Sequence, residues 1–324
     1  MRGKIIIVFA VLFTVVLGVR NYSVRAADYP TRDVTCIVPY NPGGSTDPIA
    51  RNFVACLEKS LHANINVVNK PGGSATIGIG AVVRANPDGY TIGFGNNGAL
   101  AHQPLIHSGL AYKSPDDYQS IVKLLEVPIL LVVHTDAPWK TFDEFMADVR
   151  KNPGKIRASN PGFGGTGDLV LRQLNKVAGI KITPVPFSSG GGEAMIALLS
   201  GRVEACISYP LNALPFYRAG KLRVLGVFKK GKYYMFPEAT PIGDIYDATL
   251  VNVHYVLGPK GMPKDVLDKL VNASLQAANM PEFIDFCKTN GYIHDAKGPD
   301  EMKAELVSYT ATFAELIKEI EGKK

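Results

Sequence analysis

Three segments of this 324-residue chain place glycines and hydroxyls where a backbone can hold an anion. The first is Pro39-Tyr40-Asn41-Pro42-Gly43-Gly44-Ser45-Thr46-Asp47-Pro48. Gly43 and Gly44 allow positive φ and a close approach of a ligand to the backbone. Ser45, Thr46 or Asp47 can cap a helix, and Pro48 suits its first turn. The first N–H groups of that helix have no partner within it and are open to an anion. Alone, such a segment reads equally well as a sound strand-to-helix turn. Two more shift the balance: Ser159-Asn160-Pro161-Gly162-Phe163-Gly164-Gly165-Thr166-Gly167-Asp168, and Pro186-Phe187-Ser188-Ser189-Gly190-Gly191-Gly192 ahead of Glu193. All three follow strands, and open α/β sheets bind ligands at that edge. Helix starts aimed inward from two sides suit a small carboxylate.

Enzyme chemistry is poorly provided for. Gly162–Gly167 matches the letters of G-x-G-x-x-G, but no acidic residue follows about 20 positions on for a ribose. There is no Walker A lysine, no G-x-S-x-G elbow and no H-E-x-x-H. His62, His102, His107, His134, His254 and His294 are scattered and read as surface or cleft side chains rather than metal ligands. Asp47 and Asp168 could in principle serve as general bases, but at helix starts they read first as caps. A secreted α/β hydrolase or lyase using one of them is the rival reading.

The elements that must position these loops alternate. Val34–Val38 reads as a strand, and Asp47-Pro48 opens a helix in which Ile49, Phe53, Val54, Leu57 and Leu61 recur at helical spacing. Ile65–Val68, a helix near 76–85 and Tyr90–Phe94 continue the pattern, which implies a mainly parallel sheet. A second set begins at Ile129–Val133. It includes a helix that Thr141 and Glu144 open as a capping box, and strands at Ile156–Ser159, Ile182–Val185, Ala205–Ser208 and Val224–Val227. Val253–Gly258 precedes three helices that must return to cover the first sheet.

The expected fold class is therefore α/β, with two domains of helix-flanked, mainly parallel sheet. Residues 27–127 with 253–324 form the first domain and 128–252 the second, joined by a double-stranded hinge. About 300 residues suit two cores better than one.

At the N-terminus, Arg2 and Lys4 precede an apolar run from Ile5 to Val19, and Val24-Arg25-Ala26 follows. This is the pattern of a secretory signal peptide cut near Ala26. The run is shorter than the roughly 20 residues that span a bilayer, so an uncleaved anchor is the weaker reading. The chain carries 35 Lys and Arg against 29 Asp and Glu. Four of the basic residues and none of the acidic ones lie in the first 26, so the remainder stands at +2. Without a basic stripe, nucleic acid is not an expected partner. Cys36, Cys56, Cys206 and Cys287 are far apart and read as small buried hydrophobes, a Cys36–Cys56 bridge being the alternative.

Further motifs carry a family resemblance. They are Ile37-Val38-Pro39-Tyr40 through Pro42-Gly43-Gly44 to Asp47, Val68-Asn69-Lys70-Pro71-Gly72-Gly73 and Ala85-Asn86-Pro87-Asp88-Gly89-Tyr90-Thr91. Later come Phe236-Pro237-Glu238-Ala239-Thr240-Pro241 and Gly258-Pro259-Lys260-Gly261-Met262-Pro263. In this order and over nearly the whole length, the chain resembles the periplasmic receptors of tripartite tricarboxylate transporters, the Bug-type family.

The resemblance implies a type II periplasmic-binding-protein fold that closes on an organic carboxylate without cofactor or catalysis. It further implies a monomer that delivers the solute to integral-membrane transporter subunits. A sensor that docks on a signalling protein is the alternative. Carried onto this sequence, the resemblance assigns ligand contacts to Tyr40, Ser45, Thr46 and Asp47, and to Gly165, Thr166 and Gly167. Asn96 and Asn97, after the third strand, fall where the family often has small hydroxyl residues lining the cleft; Gly44, Asp168, Ser188, Ser189 and Tyr209 complete the candidate set. Two departures stand out: Asp168 where the family commonly has His, and Ser188-Ser189 where it commonly has Lys-Gly. They lead to the expectation of one carboxylate at the first loop and a neutral, aromatic or amino-bearing far end.

Overall fold

The structure is a computed structural model, and it describes residues 29–187 and 190–321. The expected signal peptide and the pair Ser188-Ser189 lie outside the described residues. Two six-stranded mixed sheets organise the chain. The first is built on the parallel strands β1 (Val34–Val38), β2 (Ile65–Asn69) and β3 (Thr91–Asn96), β1 lying between the other two. β4 (Tyr118–Val127) and β11 (Asn252–Pro259) extend it in antiparallel fashion, and β12 (Ile293–Lys297) closes the edge beyond β4. In the second sheet β5 (Leu130–His134) runs antiparallel to both β8 (Ala205–Ser208) and β9 (Leu222–Val227). β6 (Arg157–Asn160) pairs in parallel with β8 and with β7 (Thr183–Pro186), and the two-residue β10 (Thr240–Pro241) flanks β9.

The chain thus leaves the first sheet between Val127 and Leu130 and returns at Asn252. Neither β4 nor β12 was read from sequence.

α1 (Thr46–Leu61) buries Ile49, Phe53, Val54 and Leu57, one stripe at helical spacing, so its N-terminus is fixed at the end of β1. α8 (Lys264–Ala278) packs on α1 and β4, and α10 (Pro299–Glu321) also returns to β4. The C-terminal helices therefore cover the first sheet, as their apolar faces require. Phe53 packs edge-to-face on Phe94 and on Phe283 of α9 (Pro281–Thr289), which joins these layers. In the second sheet, α4 (Phe142–Lys151), α5 (Thr166–Val177), α6 (Gly191–Leu199) and α7 (Pro210–Arg218) supply the flanking helices. Thr141 caps α4 by accepting from the Glu144 N–H at 3.2 Å. Glu144 itself accepts from Lys140 N–H at 2.6 Å rather than from Thr141, so only half of the capping box forms.

Lys123 of β4 is buried, its ammonium within 3.0 Å of Glu126, 2.7 Å of Asp295 and 2.6 Å of Glu305. It ties β12 and α10 to the sheet, and the pairing offsets the cost of burying the charge. All four cysteines are free and buried, so the Cys36–Cys56 bridge is absent. No helix among the described residues is long and apolar enough to cross a membrane.

Candidate functional site

A pocket lies between the two sheets. Tyr40, Gly44, Ser45, Thr46 and Asn96 line it from the first-sheet side. Pro161, Gly190, Gly191 and Tyr209 line it from the second, and Asn252 from the returning strand β11. No charged side chain is among these residues.

The first wall is the end of β1 and the start of α1. Gly43 adopts φ +88°, which turns the chain into the helix. Ser45 holds the N-cap position, but its hydroxyl makes no cap bond. The first N–H groups of α1 are left to whatever enters the cavity. Thr46 Oγ1 lies 3.1 Å from Nε2 of His254, which is fully buried and held neutral, its pKa pushed down to about 3 by burial. His254 is thus a support beneath the wall rather than a cleft side chain.

Burial pushes the Tyr40 phenol up to about 12, so its hydroxyl stays protonated. Asn96 Nδ2 donates to that hydroxyl at 2.8 Å, and Asn96 Oδ1 accepts from Ala99 N–H at 2.8 Å. The amide orientation is therefore fixed, and the phenolic proton remains available to the cavity.

Asp47 does not line the cavity. Its carboxylate accepts from Arg51 Nε at 2.8 Å and Asn69 Nδ2 at 2.7 Å, which draws it away from the helix start.

The second wall differs from the expectation in which elements supply it. The loop ahead of α5 contributes only Pro161. Asp168 is buried, accepting from Gly164 N–H at 3.0 Å, Arg172 Nε at 2.8 Å and Asn160 Nδ2 at 3.3 Å. It belongs to a separate pocket that it shares with His102, Phe163 and Arg172. His102 is also buried, lining that second pocket rather than the main one, and burial pushes it down to about 4. The expected influence of Asp168 on the far end of a ligand therefore has no direct path to the main cavity.

Gly165 and Gly167 are held by packing: an added Cβ would come within 2.9 Å of the Pro161 carbonyl and 3.2 Å of its ring, respectively. Thr166 reaches across to Asn97, its hydroxyl donating to Asn97 Oδ1 at 3.0 Å. Neither residue lines the cavity.

The second wall is instead built from the starts of α6 and α7. Gly190, at φ +106°, turns the chain into α6 with no side-chain cap on its first turn, and Gly190 and Gly191 line the cavity. Tyr209 is the N-cap residue of α7, and burial raises its pKa, keeping the phenol neutral. Pro161, Gly190, Gly191 and Asn252 were not expected. The Gly190–Gly192 run carried a usable signal, whereas Asn252, in an apolar strand, carried none.

The loops of the two sheets touch directly. Besides the Thr166–Asn97 bond, Gln103 Nε2 donates to the Phe163 carbonyl at 2.9 Å and Ser74 Oγ to the same oxygen at 3.2 Å. An uncharged pocket at two helix starts, closed by loops from both sheets, has the geometry of a solute receptor.

The comparisons agree with that geometry. The family described as "Tripartite tricarboxylate transporter family receptor" matches residues 49–320. A UPF0065 protein of Bordetella pertussis is 28% identical over 281 residues, 86% of each chain. The periplasmic binding protein BugD superposes with a TM-score of 0.84 at 27% identity, covering 90% of this chain and 98% of its own. MatC of Rhodopseudomonas palustris, solved with bound malate, gives 0.81 at 25% identity, covering 89% and 100%. The chain belongs to the receptor family of the tripartite tricarboxylate transporters.

Proposed function

We propose that this receptor works in the periplasm, closes over a small organic carboxylate in the cavity between its sheets, and hands it to integral-membrane transporter subunits. It performs no chemistry on the solute. The observation that carries the proposal is the composition of the pocket: helix starts from both sides, two neutral phenols, two amides and no charged side chain. Unpaired N–H groups and the positive end of the helix dipole favour an anion without a counter-ion. Malate bound to MatC supports the ligand class.

In this reading one carboxylate sits on the first turn of α1, beside Ser45 and Thr46. The far end of the ligand meets α6, Tyr209 and Asn252. Residues 27–127 with 253–324 act as one lobe and 128–252 as the other, turning about the two crossings. Ligand that touches both lobes stabilises the closed form by its differential affinity.

Isothermal titration of the purified protein against acetate, benzoate, succinate, malate and adipate tests the reading, together with native mass spectrometry of whatever co-purifies. Binding of at least one acid at a Kd in the micromolar range or below is expected. No heat with any acid, alongside a co-purified solute that carries no carboxylate, would overturn it. Selective binding of the aliphatic dicarboxylates would also retire the expectation of a neutral far end.

A further inference from the structure

Asn97 directly follows β3 and is fully buried, yet it does not face the cavity. Its amide is instead spent on three parts of the molecule at once. Nδ2 donates to the Val251 carbonyl at 2.9 Å. Oδ1 accepts from Val253 N–H at 3.2 Å and from its own neighbour Gly98 N–H at 3.1 Å. The same oxygen takes the Thr166 hydroxyl at 3.0 Å. Backbone donors on one end and a backbone carbonyl on the other allow only this orientation of the amide.

Val251 and Val253 flank Asn252, the residue at which the chain crosses back into the first sheet and which lines the cavity. Asn97 therefore grips the returning crossing on both sides of its cavity-lining residue. Its Oδ1, already shared by two N–H groups, also takes a hydroxyl from the other sheet. The approach is close: a Cβ on Gly98 would lie 3.0 Å from both the backbone nitrogen and Oγ1 of Thr166.

We infer that Asn97 is a positioning residue whose bond to Thr166 latches the closed form and couples it to the returning crossing, without either side chain touching the solute. This rests on the proposed movement of the lobes. The bond is buried, so opening strips the Thr166 hydroxyl of its partner while Asn97 keeps its bonds to the returning crossing, and a buried hydrogen bond of this kind shifts the population toward the form that makes it.

Three substitutions separate the latch from general damage. Thr166→Val keeps the shape and removes the hydroxyl; Thr166→Ser keeps the hydroxyl; Gly98→Val drives a wedge into the contact. Small-angle scattering of each protein without added ligand reads the lobe separation directly. Stopped-flow dissociation of an acid found in the titration panel reads the lifetime of the closed form.

For Thr166→Val the expected results are a larger unliganded radius of gyration and dissociation faster by about five- to tenfold, the loss of one net hydrogen bond. Thr166→Ser should match the parent, and Gly98→Val should exceed Thr166→Val on both measures. Thr166→Val indistinguishable from the parent, or Thr166→Ser as impaired as Thr166→Val, would overturn the latch. Scattering that neither ligand nor Gly98→Val alters would refute lobe movement and the latch together. Because the unliganded curves need no solute, failure to find a carboxylate ligand leaves the test of the latch intact.

Discussion

The loops ahead of α1 and α5 look alike in sequence, and the molecule uses them in opposite ways. Each follows a strand, carries a glycine pair and a threonine, and reaches an aspartate in the first helical turn. Each aspartate is buried and pairs with an arginine four residues on, Asp47 with Arg51 and Asp168 with Arg172. The difference lies in what else the carboxylate holds. Asp47 also takes Asn69 of the neighbouring strand, which pulls it sideways and leaves the start of α1 open. Asp168 also takes the N–H of Gly164, a donor of its own loop. An internal carboxylate thus takes up a loop N–H ahead of α5, whereas ahead of α1 the carboxylate is turned toward the neighbouring strand.

Placing a carboxylate into the open loop should break this contrast most severely. Ser45→Asp puts a like charge beside the proposed ligand carboxylate, a repulsion of about 3 kcal/mol or more at close range, so affinity should fall by more than about a hundredfold. The same change favours the helix itself. Calorimetry is expected to show lost binding with an undiminished melting temperature, and retained affinity would refute the anion site at α1.

Removing the internal anion is the complementary experiment. Asp168→Ala unpairs the buried Gly164 N–H while leaving Arg172, about a third exposed, to water, and should cost about 1–3 kcal/mol in urea unfolding. Affinity should change by less than about threefold, well under 1 kcal/mol. A large loss of affinity with little loss of stability would return Asp168 to the site.

The smallest effect concerns the neutral histidines behind the two loops, His254 under Thr46 and His102 against Gly164. Burial lowers His254 to about 3 and His102 to about 4 from 6.5. Above about pH 6.5 neither folded nor unfolded chain protonates them. As pH falls from there toward 4 and then 3, the unfolded chain takes up protons that the folded one refuses, and stability drops. His254→Gln should flatten that part of the melting-temperature profile. A slope between pH 7.5 and 5 equal to that of the parent would show that His254 does not titrate as its burial requires.

Much of the scaffold is legible in the sequence because its elements are simple. β1 is apolar and ends at a proline, α1 has an unbroken apolar stripe, and the loops between them have few alternatives. β4 was missed because Lys123 and Glu126 interrupt its apolar run, and the ion pairs that tolerate Lys123 come from β12 and α10, over 150 residues away. β12, Ile-His-Asp-Ala-Lys, is an edge strand with no apolar face to betray it. Of the residues lining the pocket, Tyr40, Ser45 and Thr46 lie in the first glycine-rich loop, whereas Asn96 was reached only through the family resemblance. Asn97 and Thr166 could not be told apart from cavity residues, because only the meeting of the two sheets makes them partners of each other.

The cavity without charged side chains has a consequence for how such receptors diversify. On the proposed reading its anchor is main chain, and a substitution changes a side chain while leaving the peptide group behind it in place. Tyr40, Asn96, Tyr209 and Asn252 can then be exchanged to suit solutes of different length and polarity while the grip on the carboxylate persists. Recognition of the acid and choice among acids become separately heritable properties of one pocket.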